Sequence, residues 1–308
     1  MHTIHELPHL ALIRFSGPDA QTFLHSQLSC DVAALKPGRS TYGAYCTPKG
    51  RMLASFLLWR AGDAFYMQLP SSLREPIQKQ LTRFILRSKV QAAGASGDST
   101  PIGVAGSGAA EAIRRAAGQA PEDTHGVAVS ADAMLLRLPL DRYEVVAARA
   151  KAPDILAALD EGGERKDAEH WDWLEIASGV PVVLPETQEQ LVPQMANLDL
   201  IGGVSFEKGC YPGQEIVARM HYRGTLKQRM YRARVGTPEQ VPPGSKLYSA
   251  AFGEQACGTV LNAARSPEGG SDILAAIQIA AAGQGDVRWN APDGPPVTLL
   301  RLPYSVSS

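Results

Sequence analysis

Cys210 stands in the stretch SFEKGCYPGQEIVARMHYRG, Ser205 to Gly224, between a Lys-Gly pair and a Pro-Gly turn. Tyr211-Pro212-Gly213-Gln214 puts proline and glycine at the two central positions that a type II turn favours, which predicts a sharp reversal with the Cys210 side chain at the lip of a loop. If GQEIVARMHYR continues as a short helix, free backbone N–H groups at its start lie near the sulfur. Together with Lys208 they would favour thiolate over thiol. The alternative is that Cys210 is a small buried hydrophobe, as free cysteines commonly are.

The other three of the 4 cysteines, Cys30, Cys46 and Cys257, lie in apolar helix or strand contexts and read as packing residues. No two cysteines fall at metal-ligand or redox-motif spacing, and the 7 histidines lack a two-ligand helical spacing. No resident metal is expected. The strip HYRGTLKQRMYRAR is basic and carries two tyrosines, a pattern that suits either nucleic acid or an ordinary solvated strand face; the solvated face is the preferred reading, so no direct nucleic-acid partner is expected.

These residues need a framework. LALIRFSG reads as a strand, and GPDAQTFLHSQLS as a helix with Pro18 in its first turn and Phe23, Leu24 and Leu28 on one face. TYGAYCTPKGRMLASFLLWRAGDAFYMQLP reads as an antiparallel meander of strands with turns at Thr47-Pro48-Lys49-Gly50 and Ala61-Gly62-Asp63. Ser71 or Ser72 is placed to cap a helix over LREPIQKQLTRFILRSK, in which Pro76 must sit in the first turn or break it. Apolar runs around Ile102, Val127, Leu135 and Val145 alternate with helix-like AAEAIRRAAG and APDILAALDEG, an α+β pattern. AEHWDWLEIASGVP is a further helix ending near Gly179, followed by a long irregular stretch, VVLPETQEQLVPQMANLDLIGG, of the kind that often lines sites.

From Leu226 onward the pattern changes to short strand candidates, LKQRMYRARVG, GSKLYSA, QACGTVLNAA, DILAAIQIAAA and VTLLRLP, separated by turn-rich clusters. They predict a small β-barrel or sandwich. The expected division is residues 1–224, two interleaved α+β subdomains, and residues 225–308, the β-barrel. A length of 308 residues with 44% hydrophobic content supports a sizeable core, and a formal net charge of -1 asks for no polyanionic partner. The opening MHTIHELPHLALIRFSG lacks a basic leader followed by an apolar run, and no segment approaches bilayer length, so a soluble, cytoplasmic protein without a membrane partner is expected.

KGCYPGQE, Lys208 to Glu215, resembles the signature of the YgfZ family of folate-binding proteins, relatives of the aminomethyltransferase of the glycine cleavage system. The likeness extends over PQMANLDLIGGVSFEKGCYPGQEIVARMHYRG, over the Lys49-Gly50 turn with its flanking strands, and to the final LPYS. The resemblance implies an α+β, aminomethyltransferase-like fold: a three-subdomain cloverleaf around a central channel, with a C-terminal β-barrel. It implies tetrahydrofolate, or a related reduced folate, as ligand. It also implies transient partnership with iron–sulfur assembly proteins or client enzymes, including radical enzymes that modify transfer RNA.

The same resemblance makes Cys210 the functional thiol, with Lys208 beside it, and equates Trp171 with a tryptophan of the family's folate site. Tyr211, Gln214, Glu215, Arg219, Arg223 and Lys49 become folate-binding candidates: the arginines for the tail carboxylates, Gln214 and Glu215 for the cysteine loop or the pterin, Lys49 reaching in from the hairpin. Each has a plainer reading: Trp171 as a packed helix aromatic, Arg219 and Arg223 as a solvated basic face, Glu215 as a helix-start acid, Lys49-Gly50 as a turn.

Some positions depart from the family. Leu10 stands where some relatives have an aromatic residue, and Ala177-Ser178-Gly179 where they read Glu-Ala-Gly, leaving Glu175 as a possible substitute carboxylate. In the aminomethyltransferases an acidic pair follows the hairpin glycine, whereas this chain has Leu53, Ala54 and Ser55. One-carbon transfer needs a carboxylate beside the folate nitrogens. Aminomethyl transfer in glycine cleavage is therefore not expected, while another folate-dependent transfer, or a folate-free interaction module, stays open.

Overall fold

The computed structural model describes residues 1–306 of the chain and divides it by internal contacts into two compact units. The first comprises Met1–Gly43 and Phe56–Trp171; the second comprises Ala44–Ser55 and the chain from Asp172 onward. This division differs from a cut between residues 224 and 225. The tip of the first hairpin and everything after Trp171 group with the C-terminal strands.

In chain order the elements up to the second unit's helices are β1 (His2–Glu6), β2 (Leu10–Ser16), α1 (Ala20–Gln27), β3 (Ser40–Cys46), β4 (Met52–Ala61), β5 (Ala64–Pro70) and α2 (Ser71–Thr82). There follow β6 (Gln91–Gly94), β7 (Ser99–Ala105), α3 (Ala109–Ala117), β8 (Val127–Val129), β9 (Ala133–Leu138), β10 (Arg142–Ala148), α4 (Ala152–Asp160), β11 (Gly163–Lys166) and α5 (Ala168–Ala177). They build one sheet in the order β11-β1-β7-β10-β9-β8 and another in the order β3-β4-β5-β2-β6. Ala109, Ala112 and Ile113 of α3 and Ala152, Ile155 and Leu159 of α4 pack with Ile102, Val104, Leu135, Tyr143 and Val145 of the first sheet in one apolar core.

The sequence reading holds for β2 to β5. α1 forms where expected but starts at Ala20 with Asp19 as N-cap, so Pro18 lies in the turn before the helix rather than in its first turn. The next helix shows two further differences. Pro70, not Ser71 or Ser72, occupies the N-cap position, and no side chain caps the helix. Pro76 lies within α2 without breaking it. Its missing N–H removes one hydrogen bond, the one to the carbonyl four residues back, on the exposed face of the helix. The helix ends at Thr82, and residues 83–90 run on as a loop. β1, β6 and β11 escaped sequence reading because HTIHE, QAAG and GERK show no apolar alternation.

In the second unit, α6 (Gln214–Tyr222) is followed by β12 (Gln228–Val235), β13 (Lys246–Tyr248), β14 (Gly258–Arg265), β15 (Ser271–Gln278), α7 (Ile279–Ala282), β16 (Arg288–Trp289) and β17 (Val297–Leu300). The six strands form a sheet in the order β16-β13-β14-β15-β12-β17. It curls until a bridge from Arg288 to Pro296 and the bond from Val297 N to Val287 O (2.9 Å) join its two edges. DILAAIQIAAA, read as one strand, turns helical at Ile279. Ala233, Val235, Leu247, Val260, Ile273, Ala275 and Trp289 fill the interior.

Candidate functional site

The cysteine loop takes the expected turn. Gln214 N donates to Tyr211 O at 3.1 Å, and Gly213 adopts φ 84, the left-handed value a type II turn requires at that position. α6 begins at the next residue, with Glu215 in its first turn, where the N–H dipoles favour an acid. Cys210 is the exposed cysteine; Cys30, Cys46 and Cys257 are buried. Burial pushes the Cys46 thiol up to about 12 and the Cys257 thiol to about 11, so neither ionises under ordinary conditions. Lys208 is buried, its Nζ 5.1 Å from the centre of the Tyr211 ring, a cation–π contact that holds the loop from inside. Gln214 Nε2 donates to Lys208 O at 3.3 Å and closes the loop from its far end.

The first hairpin is seated on this loop. Gly50 N donates to Thr47 O (2.9 Å), and Gly50 adopts φ 72. A Cβ on Gly213 would come within 2.5 Å of Thr47 O and 2.6 Å of Gly50 Cα; one on Gly50 would lie 3.1 Å from Ile216 Cβ. The two turns interlock backbone to backbone, which only glycine permits. The strand after the hairpin is stitched to the irregular stretch: Arg51 Nη1 donates to Gln190 O (2.5 Å), Met52 N to Leu191 O (2.9 Å) and Gln188 Nε2 to Leu53 O (2.6 Å). Leu53, Ala54 and Ser55 are buried, and Ser55 Oγ accepts from Val183 N at 2.9 Å. The positions where a transferase acid would stand thus serve packing. Lys49 is exposed at the hairpin tip.

The irregular stretch is held by its own polar residues. Asn197, fully buried with φ 57, donates to Met230 O (2.8 Å) and accepts from Met230 N (3.3 Å). Gln194 Nε2 donates to Val217 O of α6 at 2.6 Å, and Arg229 pairs with Asp199 at 2.7 Å. Tyr304 of the final LPYS donates from its hydroxyl to Gly179 O (2.7 Å); burial pushes that phenol up to about 12.

Of the basic strip, Arg229, Arg232 and Arg234 are committed to Asp199 and Asp272. Burial pushes the Asp272 carboxyl up, but hydrogen bonds from Arg234, Arg232 and Trp173 outweigh it and hold the group below its ordinary range. Arg219 and Arg223 of α6 are exposed and have no ion-pair partner among the described residues.

Trp171 belongs to the first unit and is almost wholly buried. Its ring covers Gly103, where a Cβ would come within 2.5 Å of it, and the Arg142 guanidinium lies 5.2 Å from the ring. In the strand register Gly103 of β7 faces His5 of β1 on one side and Glu144 of β10 on the other. His5 Nε2 and His170 Nδ1 share a hydrogen bond of 2.9 Å, and Gln68 Nε2 donates to Glu144 Oε1. Burial and the neighbouring His170 push His5 down to about 4; burial and Lys166 lower His170 too. Trp171 Nε1 is a buried donor with no hydrogen-bond partner among the described residues. Sequence reasoning found Trp171 but not His5, Arg142, Glu144, Gln68 or His170, since their approach depends on strand register. The one available signal was a charged pair, Arg142 and Glu144, within an otherwise apolar strand.

The sequence candidates therefore separate. Lys49, Lys208, Cys210, Tyr211, Gln214, Glu215, Arg219 and Arg223 lie in the second unit, around one loop and its helix, and Trp171 lies in the first, over the Gly103 that pairs with Glu144.

Residues 2–128 match the GCVT N-terminal domain family. The fold is that of the glycine cleavage system aminomethyltransferase T from Bartonella henselae, matched with TM-score 0.80 at 18% identity over 97% of this chain and 85% of that one. The chain thus has an aminomethyltransferase-type α+β fold. It is 32% identical to the tRNA-modifying protein YgfZ of Serratia proteamaculans over 87% of its length and 82% of the relative's. With the proteins of that name from Edwardsiella ictaluri it shares 31% identity (95% and 89% covered), and from Pectobacterium carotovorum 30% (99% and 92%). The chain belongs to the YgfZ family of tRNA-modifying proteins.

Proposed function

We propose that this chain is a tetrahydrofolate-binding factor that supports the assembly or repair of iron–sulfur enzymes, and through them transfer RNA modification, with Cys210 as the working thiol. The observation that carries the reading is the contrast among the cysteines: Cys210 is presented to solvent on a turn locked by two glycines and a buried lysine, and the rest are sealed in packing. The relatives' name, tRNA-modifying protein, supports the same direction.

The first-unit cluster fits a pterin by chemistry. Trp171 Nε1 is an orphaned buried donor that a pterin acceptor would satisfy, and the Glu144 carboxylate, steadied by Gln68, suits the pterin's N–H and amino donors. A bound reduced folate would supply a redox-sensitive ring able to carry one carbon unit. The protein's own part is to bind and orient it. In the second unit the Gln214 amide keeps the cysteine loop closed.

At the thiol, Cys210 offers one sulfur ligand to a cluster or one bond to a sulfur species or partner thiol, and it cannot hold a cluster alone. Cytoplasmic placement follows from that partnership. No helix among the described residues is long and apolar enough to cross a membrane.

The test is a titration with tetrahydrofolate, followed by tryptophan fluorescence, of wild type, Trp171→Ala and Cys210→Ala. Saturable binding that Trp171→Ala loses and Cys210→Ala keeps is the expected result. Absence of binding in the wild type would remove folate from the account and favour an interaction module. Aminomethyl transfer is the less favoured reading, because the buried Leu53, Ala54 and Ser55 provide no acid at the hairpin. Robust formation of methylene-tetrahydrofolate from an aminomethyl-lipoyl carrier would reverse that preference.

A further inference from the structure

α6 is a helix of 9 residues with a single buried side chain, Val217. A surface helix in a finished monomer normally buries an apolar stripe of three to four residues per two turns. Here Tyr222 is 66% exposed, and Ile216, although one side of it packs on Gly50 of the hairpin, is still 37% exposed; both are among the few large hydrophobics exposed among the described residues. His221 stacks on Phe206 with ring centres 3.8 Å apart and Tyr222 meets both edge-on, so the far end of the helix carries a preformed aromatic knob.

The charges on this face do not balance. Arg219, Arg223 and Lys227 are exposed, and none has an ion-pair partner among the described residues, against Glu207 and Glu215 as the acids alongside. Farther along the chain the arginines of β12 are neutralised by Asp199 and Asp272. The positive excess therefore belongs to α6 and the short segment that follows it, the helix itself beginning four residues after Cys210.

We infer that the exposed face of α6 is a docking surface for a partner protein that presents an apolar groove rimmed by carboxylates, Ile216 and Tyr222 entering the groove while Arg219, Arg223 and Lys227 meet the rim. The inference rests on the reading of Cys210 as the working thiol, because docking there sets the partner beside the sulfur. Apolar anchors surrounded by complementary charge are the usual composition of a transient interface.

The probe is a fluorescein-labelled amphipathic peptide with glutamates on one helical face and leucine and phenylalanine on the other, read by anisotropy against the full chain. A lysine version of the peptide and a 12-nucleotide oligouridylate serve as comparisons. Saturable binding of the acidic peptide is expected, weakened at least tenfold by Arg219→Glu with Arg223→Glu and by Ile216→Ser with Tyr222→Ser, and unchanged by Cys210→Ala. The charge-reversed variant should gain the lysine peptide, a result that misfolding cannot produce. Failure of the acidic peptide to bind, equal affinity in all variants, or preferential binding of the oligouridylate would overturn the inference, the last in favour of nucleic acid. Peptide binding retained by Cys210→Ala, with iron–sulfur enzymes still supported in cells, would instead refute the role of the thiol and leave the docking surface standing.

Discussion

Gly50 and Gly213 face each other across two turns that are far apart in the chain, each in the left-handed backbone region, with no room for a side chain at Gly213 and only a tight fit for one at Gly50. The contact fixes the hairpin tip, with Lys49, against the loop that presents Cys210. Gly213→Ala would incur both the backbone penalty and a collision with Thr47 O and Gly50. Gly62, φ 59 with nothing near its Cβ position, isolates the backbone penalty alone. Urea unfolding should show Gly62→Ala losing about 1 kcal/mol and Gly213→Ala clearly more, about 2–4 kcal/mol. Equal losses would mean that the interlock contributes nothing.

Thiol exposure is directly countable. Ellman's reagent should titrate a single fast thiol in the native protein and all 4 cysteines after denaturation. Cys210→Ala should leave no fast thiol. A second fast thiol in the native chain would show that Cys30, Cys46 or Cys257 is less sealed than its burial implies.

The paired histidines make the first unit acid-sensitive. His5 is held near 4 and His170 below its ordinary value, so between those values and the usual 6.5 the unfolded chain binds more protons than the folded one. Stability therefore rises with pH in that window: the contribution is fully present above about pH 6.5 and is lost as pH falls toward 4. Urea midpoints at pH 7, 5.5 and 4.5 should fall in that order, with a shallower decline in His5→Asn. An unchanged slope in that variant would assign the acid sensitivity to other groups.

Much of this arrangement was legible in the sequence because it is local. Proline and glycine at the centre of Tyr211–Gln214 dictate the turn, Thr47–Gly50 dictates the hairpin, and the change of pattern at Leu226 anticipates β12 at Gln228. What stayed hidden depends on register. His5, Gly103 and Glu144 lie in three separate strands and become neighbours only when β1, β7 and β10 pair, so no spacing along the chain reveals the cluster under Trp171. The neutralised arginines of β12 could not be told from the free ones of α6 until Asp199 and Asp272 were placed.

The most direct test of the central claim is made in cells lacking the native protein, by measuring the level of transfer RNA modified by iron–sulfur enzymes after supplying wild type or Cys210→Ala at equal abundance. The account predicts that Cys210→Ala restores none of the modification while the purified variant still binds tetrahydrofolate. Full restoration by Cys210→Ala would contradict it.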